Sequence, residues 1–271
     1  MEWPKLKNII ILILALVNLF LLVMLGLQER GAAQDQEQAI ADTISVLERN
    51  GIQMDSDNVP AELELTTMTV ERDLESEAVL AQALLGECEV QDLGSGRYAY
   101  QSARGMAEFR SNGNFSFAFY EGQRWREEEL ANVLDAMAEG GFVGTVVSQN
   151  TGETPMTLTL CQNWQDVLVY SCQAEVTFED GYLVSVVGQR LMGTPQSEND
   201  KTQLISVPTA LLKILNEIND MGDICNEITS MTPGYVLTVS ADRGRMIPVW
   251  YVTTDTGAYS LNAVTGVLER D

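Results

Sequence analysis

Residues 9–27 form an apolar run interrupted by only Asn18 and Gly26. At a rise of about 1.5 Å per residue, a helix of this length spans about 28 Å, close to the thickness of the hydrocarbon core of a bilayer. A cleaved signal peptide has a shorter apolar stretch, of about 7–15 residues, although residues 31–33 (Gly-Ala-Ala) resemble a cleavage site. The length of the run therefore predicts an uncleaved transmembrane helix.

The charges on either side of this run predict its orientation. Lys5 and Lys7 precede it, whereas residues 28–38 hold Arg30 among a larger number of acidic residues. Positive charge favours the cytoplasmic side of a membrane, so the N-terminus is expected in the cytoplasm and the C-terminal region outside it. Residues 1–30 are thus predicted to be a short tail and anchor of a single-pass protein of the cell membrane, with no room for a cytoplasmic enzyme domain.

The side chain of Asn18 falls near the middle of the predicted helix. A lone amide in hydrocarbon is costly unless it is hydrogen-bonded. Residues at spacings of three and four around it share one helical face, which consists of Ile11, Leu14, Asn18, Leu22 and Leu25. This face is predicted to pack on another transmembrane helix, with Asn18 contributing about 0.6–2 kcal/mol. The alternative is that Asn18 bonds to the backbone of its own helix.

The composition excludes several classes of function. With 16 basic and 39 acidic residues the formal charge is −23, and such a charge repels nucleic acid, so no nucleic-acid partner is expected. The chain has no histidine, which removes Ser-His-Asp and Cys-His nucleophile systems and histidine-ligated zinc. No glycine motif for phosphate is present, and no acidic cluster has the spacing of an EF-hand. We therefore predict no catalytic residues, no metal and no cofactor.

The four cysteines include no closely spaced pair, and they are Cys88, Cys161, Cys172 and Cys225. Cys161 and Cys172 would lie opposite each other if a hairpin turned between Asp166 and Val167, which permits a cross-strand disulfide. The alternative is that the cysteines are small core residues.

Helical and strand-like patterns alternate through the rest of the chain. Residues 34–50 carry apolar side chains at helical spacing and are followed by Gly51, a typical helix end. Residues 125–138 and 204–221 have the same periodicity. Short strand-like stretches lie between these helices, separated by turn sequences such as Ser-Asn-Gly-Asn at residues 111–114, which predict antiparallel hairpins.

These patterns predict the α+β class, with the transmembrane helix followed by two lobes. Residues 31–150 and 151–271 are each expected to form an antiparallel sheet or meander packed with helix. The boundary is placed near residues 140–155, where glycines and a proline cluster.

Segments along most of the chain follow the pattern of one known family. They are residues 1–3 (Met-Glu-Trp) with Lys5 and Lys7, 17–21 (Val-Asn-Leu-Phe-Leu), 44–52 with Pro60, 113–120, 125–141, 174–183, 248–252 (Pro-Val-Trp-Tyr-Val) and 259–267. Together they resemble the YycI proteins of the YycH/YycI family. The C-terminal hairpin also resembles PepSY-type modules, which usually carry Asp where this chain has Asn262.

The resemblance implies a role rather than a reaction. Proteins of this family are single-pass regulators in Gram-positive bacteria that associate, with YycH, with the sensor histidine kinase WalK and adjust its control of cell-wall metabolism. A non-enzymatic regulator is therefore implied, whose transmembrane helix contacts the kinase helices and whose extracytoplasmic domain binds a YycH-like sister protein. The alternative is a PepSY-like binding or inhibitor module for a secreted peptidase or wall component, for which the helix is only a tether.

Overall fold

The computed structural model describes Leu14, Met24 and residues 16–21, 35–60, 65–122, 124–150, 155–198, 204–240 and 243–270. Besides a helical stretch at residues 16–21, these residues form the helices α1 (residues 35–49), α2 (Leu74–Leu85), α3 (Leu130–Glu139) and α4 (Val207–Met221). The strands are β1 (Gln53–Met54), β2 (Met68–Glu71), β3 (Glu89–Gly94), β4 (Arg97–Gln101), β5 (Gly105–Arg110), β6 (Asn114–Phe119), β7 (Gly144–Asn150), β8 (Met156–Trp164), β9 (Val167–Glu179), β10 (Tyr182–Gln189), β11 (Gln196–Ser197), β12 (Glu227–Ser240), β13 (Arg243–Thr254), β14 (Ala258–Asn262) and β15 (Leu268–Arg270). Because most strand pairs are antiparallel and the helices are few, the predicted α+β class is confirmed.

Among the described residues, no helix has both the length and the apolar character needed to cross a membrane. The predicted span, residues 9–27, lies largely outside them, although Leu14, residues 16–21 and Met24 are helical. The transmembrane helix therefore stays a prediction.

The chain divides into two compact units that are discontinuous in sequence. The first contains α1, β1, α4, the start of β12 and residues 254–256, and the second contains α2, α3 and the remaining strands. This division differs from the predicted lobes, residues 31–150 and 151–271. The physical reason is strand pairing across residues 140–155, because β6 lies before them, β10 lies after them, and the two strands pair antiparallel.

Eight strands of the second unit pair antiparallel in the order β7-β8-β9-β10-β6-β5-β4-β3. α2 and α3 pack on each other against one face of this sheet. The core between them includes Leu84 of α2, Met137 of α3 and Phe117 of β6. Phenylalanine alternates with Asn, Ser and Ala along β6, so its aromatic rings enter the core while the other side chains face solvent.

The local sequence sets the ends of α2. The Asp73 carboxylate accepts a hydrogen bond from the backbone N–H of Glu75 at 2.9 Å and caps the first turn. The helix stops at Gly86, whose φ of +82° is a conformation that glycine adopts without the steric cost of a side chain.

A second group of strands extends the sheet of this unit. β9 pairs parallel with β12 at Val169 and Tyr235, and the order continues through β13 and β2 to β11. β13 also pairs antiparallel with β14, placing Trp250 opposite Leu261, so the predicted C-terminal hairpin is confirmed.

The first unit contains the helix that was predicted at residues 34–50. It is observed as α1, with the buried side chains of Ile44 and Leu47, and is followed by Gly51 at a φ of +86°. β1 pairs parallel with the start of β12. α4 begins after Ser206 and is capped by Gly222 in the left-handed conformation.

Candidate functional site

The predicted interaction face in the N-terminal segment is described only in part. Leu14 and Asn18 lie among the described residues, whereas Ile11, Leu22, Leu25, Lys5 and Lys7 lie outside them. The amide nitrogen of Asn18 donates a hydrogen bond to the backbone oxygen of Leu14 at 3.0 Å. This bond within one helix corresponds to the alternative interpretation of Asn18, and it gives the amide a partner without a second helix.

A buried ionic cluster, which the sequence patterns did not predict, lies at the start of α2. Arg72 donates to both carboxylate oxygens of Glu77, at 2.7 and 3.0 Å, and its third nitrogen donates to the backbone oxygen of Gly96 at 2.7 Å. The side chain of Glu77 is buried. A bidentate pair of this kind is geometrically specific because two parallel hydrogen bonds hold both groups in one plane.

Arg190 brings a second cation to the same cluster from the end of β10. It is 3% exposed, and its Nη2 donates to the hydroxyl of Ser76 at 3.0 Å. Burial lowers the pKa of Arg190, and the nearby carboxylates of Glu77 and Asp73 oppose that shift. The cluster therefore joins α2 to the sheet, and we interpret it as structural. Positions 76 and 190 are too far apart in sequence for any local pattern to reveal their contact.

The face of the eight-stranded sheet opposite α2 and α3, here called the open face, carries no helix of the second unit among the described residues. Paired residues form one continuous row across it: Gln91, Ala99, Glu108, Ser116, Val187, Glu175, Thr159 and Ser148. Most of these side chains are short, and none is aromatic. Ser116 and Glu175 are exposed, and Val187 leaves 50% of its surface in solvent.

Size and charge distinguish the open face from a small-molecule site. Eight strands at a spacing of about 4.8 Å span roughly 34 Å, and strands of about six residues are roughly 20 Å long, which gives an area on the order of 700 Å². A protein interface of standard size buries about 800 Å² on each partner. The carboxylate of Glu108 lies 3.0 Å from Arg110, so part of the charge on this face is paired.

The depressions on the two units are shallow and lined by polar groups. One of about 500 Å³ in the first unit is lined by Glu48, Gly51, Gln53, Met54, Asp55 and Glu227. Another of about 710 Å³ in the second unit is lined by Gln82, Glu87, Cys88, Glu89, Gln101, Ser102 and Ala103. Within the described part of the chain, no three carboxylate or thiol groups come close enough to hold a metal ion.

Cys88, Cys161, Cys172 and Cys225 all lie in the described part of the chain, and none of them forms a disulfide there. A register shift between β8 and β9 explains why the possible disulfide is not formed. Gln162 lies opposite Val169, whereas the preceding residue, Cys161, lies opposite Gln173. Cys172 therefore falls in the bulge between these two pairs. Burial raises the pKa of Cys172 to about 12, which makes it an inert core thiol, as the alternative interpretation held.

Asp255 forms a small hydrogen-bonded cluster in the first unit. Its carboxylate accepts from the side-chain amide of Asn226 at 2.9 Å, and from the backbone N–H groups of Asn226 and Glu227 at 3.1 and 3.3 Å. The Asn226 amide is the main cause of the lowered pKa of Asp255. These bonds join the turn after β13 to the start of β12, because the donors lie 28 and 29 residues before Asp255 in sequence.

Asn262 occupies the position at which PepSY-type modules usually carry Asp. Its side-chain oxygen accepts from the backbone N–H groups of Val264 and Thr265, at 2.9 and 3.0 Å. An aspartate oxygen would accept the same two bonds, so the structure supports a turn-forming role for this position.

Comparison with known proteins gives distant likenesses. No family model and no curated protein matches the sequence. An uncharacterized protein from Eubacterium rectale is similar at 11% identity over 82% of this chain and 86% of that chain, with a TM-score of 0.45. The C-terminal domain of YpeB from Bacillus megaterium is similar at 11% identity over 74% of this chain and 98% of that chain, with a TM-score of 0.38. Neither likeness assigns a family or a function.

Proposed function

We propose that this chain is a membrane-tethered binding module that holds a partner protein on its open face. The observation that carries the proposal is the continuous row of mostly short, non-aromatic side chains across eight paired strands. A sheet face without covering helices presents its side chains in a fixed array, so that binding requires little ordering of the module itself.

A protein partner fits this face better than a small ligand does. Small-molecule sites are concave and enclose most of the ligand surface, whereas the open face is the outer side of a sheet. Its area, on the order of 700 Å², is close to the about 800 Å² that one partner contributes to a standard interface.

The finer proposal concerns what binding achieves. By the resemblance to the YycH/YycI family, the partner on the open face is a YycH-like sister protein, and the tethered complex biases a sensor histidine kinase of the WalK type without catalysing a reaction. A coupling of about 1–3 kcal/mol changes the kinase equilibrium by about 5–150-fold, so a modest contact between transmembrane helices is sufficient.

The hydrogen bond from Asn18 to Leu14 favours a second candidate. Because the amide has a partner in its own helix, the apolar segment does not need a kinase helix and can act only as a tether. The chain would then be a PepSY-like binding or inhibitor module for a secreted peptidase or wall component.

Photocrosslinking from the full chain in native membranes tests the open face. A photoreactive residue at position 116 is expected to capture one defined protein. A residue at position 79, where Val79 is 49% exposed on the helical side of the same unit, is expected not to capture it. Equal capture from both positions, or capture of lipid alone at both, would refute binding on the open face.

An anchor exchange separates the two candidates. Residues 1–30 are replaced by an unrelated transmembrane helix of the same orientation, and phosphorylation of the kinase's response regulator is measured in cells. Loss of regulation with an intact open-face crosslink supports action through the helix. Unchanged regulation supports the tethered module.

A further inference from the structure

Among the described strands of the second unit, four lie at edges of the sheet, and they differ in how they are protected. β11 and β15 have two and three residues, and β3 carries the charges of Glu89 and Asp92. Short edge strands and charged edge residues are the usual means by which proteins prevent a further strand from adding. The fourth edge, β7, shows neither feature.

β7 has seven residues, Gly-Thr-Val-Val-Ser-Gln-Asn, with no charge and no proline. Among the described strands it pairs with β8 alone. Val146 and Val147 are 44% and 48% exposed. A long, uncharged edge strand with exposed β-branched side chains is a template for pairing with another strand, because one side of its backbone offers regularly spaced donors and acceptors.

A register shift in the pairing of β7 with β8 lies between Val146 and Ser148. A bulge at this place leaves Val147 between two regularly paired stretches. A bulge twists an edge strand and is itself one means of protection. Here it divides the edge into two short runs, so the alignment of an added strand is restricted to one that fits on both sides of Val147.

We propose that β7 binds an extended segment of a basic partner protein, which adds to the sheet as an edge strand. This inference rests on the proposed binding function and specifies how the partner is engaged. Backbone hydrogen bonds to β7 provide the affinity, and β-branched side chains of the segment pack beside Val146 and Val147.

Charge favours this occupant over a second copy of the chain. Each copy carries −23, so two copies repel each other. The negative charge of the chain attracts a basic segment. β7 itself contains no basic residue that would repel such a segment.

The test uses the full chain in lipid nanodiscs and a defined probe, the acetylated and amidated peptide Lys-Val-Thr-Val-Thr-Val-Lys. We expect fluorescence anisotropy to show binding of this peptide, and hydrogen exchange to show slowed exchange of the amides of residues 144–150. A peptide of the same sequence with every backbone nitrogen methylated is expected not to bind, because neither of its edges can donate hydrogen bonds to β7. The analogue with glutamates in place of lysines is expected to bind more weakly.

Two variants at one position separate strand addition from simple charge attraction. Val147→Lys and Val147→Glu both place a charge on the edge, and both are expected to weaken peptide binding by about tenfold or more. Under charge attraction alone, Val147→Glu would strengthen binding. Val90→Lys on β3, where the valine is 58% exposed, is the matched control and is expected to change binding little.

Each remaining outcome distinguishes this inference from the proposed function. If the peptide slowed amide exchange in β6 and β10 and not in β7, strand addition would be overturned, but binding on the open face would remain supported. Concentration-dependent protection of β7 without peptide would show that a second copy is the occupant. Absence of both binding and protection would overturn the inference, whereas the crosslink at position 116 independently decides the proposed function.

Discussion

At the scale of single residues, the ion pair of Arg72 and Glu77 in the second unit is held in one arrangement by hydrogen bonds. The two carboxylate oxygens of Glu77 accept hydrogen bonds from Nε and Nη2 of Arg72, and Arg190 lies near the same carboxylate. Removing one member of a buried ionic cluster leaves the others in a low-dielectric surrounding without compensation, which costs more than the cluster itself contributes.

We therefore expect Glu77→Gln to lower the free energy of unfolding by about 3–5 kcal/mol, because Arg72 and Arg190 lose their buried counter-charge. Urea unfolding of the full chain in a mild detergent, followed by tryptophan fluorescence, measures this loss. Glu75→Gln, an exposed position on the same helix, is the control and should change stability by less than about 0.5 kcal/mol. Equal effects of the two variants would contradict the role of the cluster.

A pH dependence is expected at Asp255. Hydrogen bonds from Asn226 and Glu227 lower its pKa below the ordinary value of 3.8, so the folded state favours the ionised carboxylate. The resulting stabilisation is present above the unfolded pKa and is lost as the pH falls through the folded pKa. In Asp255→Asn the difference in stability from the parent should be constant above about pH 5 and shrink below about pH 4.

Urea unfolding at a series of pH values measures this difference. Asp220→Asn, which alters an exposed carboxylate on α4, is the control. A difference between the parent and Asp255→Asn that stays constant down to the acid limit would show that the hydrogen bonds do not favour the ionised form.

At the scale of elements, α2 and α3 approach closely at the end of α3. A Cβ atom on Gly140 would lie 2.5 Å from Cδ1 and 2.6 Å from Cα of Leu80. Glycine at this position lets the two helices cover the sheet together, because no side chain separates their backbones.

Gly140→Ala is expected to lower the free energy of unfolding by about 1–3 kcal/mol, since the added methyl group forces α3 away from α2. Gly257→Ala is a matched control because its Cβ would lie 3.6 Å from Nη2 of Arg270, which is an ordinary van der Waals distance. Thermal unfolding of both variants, monitored by circular dichroism, gives the comparison. A loss in the control as large as that in Gly140→Ala would rule out helix contact as the cause.

At the scale of the whole molecule, the charge of −23 is the dominant electrostatic property. Like charges over one surface repel and destabilise the compact state, and dissolved salt screens this repulsion over a Debye length of about 10 Å at 0.1 M. The same repulsion disfavours association between copies and favours basic partners.

Raising NaCl from 20 to 300 mM, concentrations chosen on the order of the screening range, should therefore raise Tm by about 2 °C or more, which corresponds to about 1 kcal/mol for a chain of this size. Differential scanning calorimetry measures the shift. Choline chloride should give the same rise, because screening does not depend on the identity of the cation. A rise with one particular cation and not with choline would point to specific binding instead.

Local sequence patterns were sufficient for the helices and the hairpins. Helical spacing predicted α1 and α3, and the turn sequence at residues 111–114 predicted the hairpin of β5 and β6. The lack of histidine in the sequence by itself limits the chemistry open to this chain. These features depend on interactions between residues that are close in sequence, so their periodicity can be recognised in the sequence itself.

Only the tertiary structure decided which strands became neighbours. The pairing of β6 with β10 joined the two predicted lobes, the bulge in β9 placed Cys172 out of register with Cys161, and the approach of Arg190 to Ser76 completed the buried cluster. The open face and the uncharged edge at β7 exist because of that strand order. Sequence periodicity determines which side of a strand is buried, but the partner of each strand is selected by packing between residues far apart in the chain.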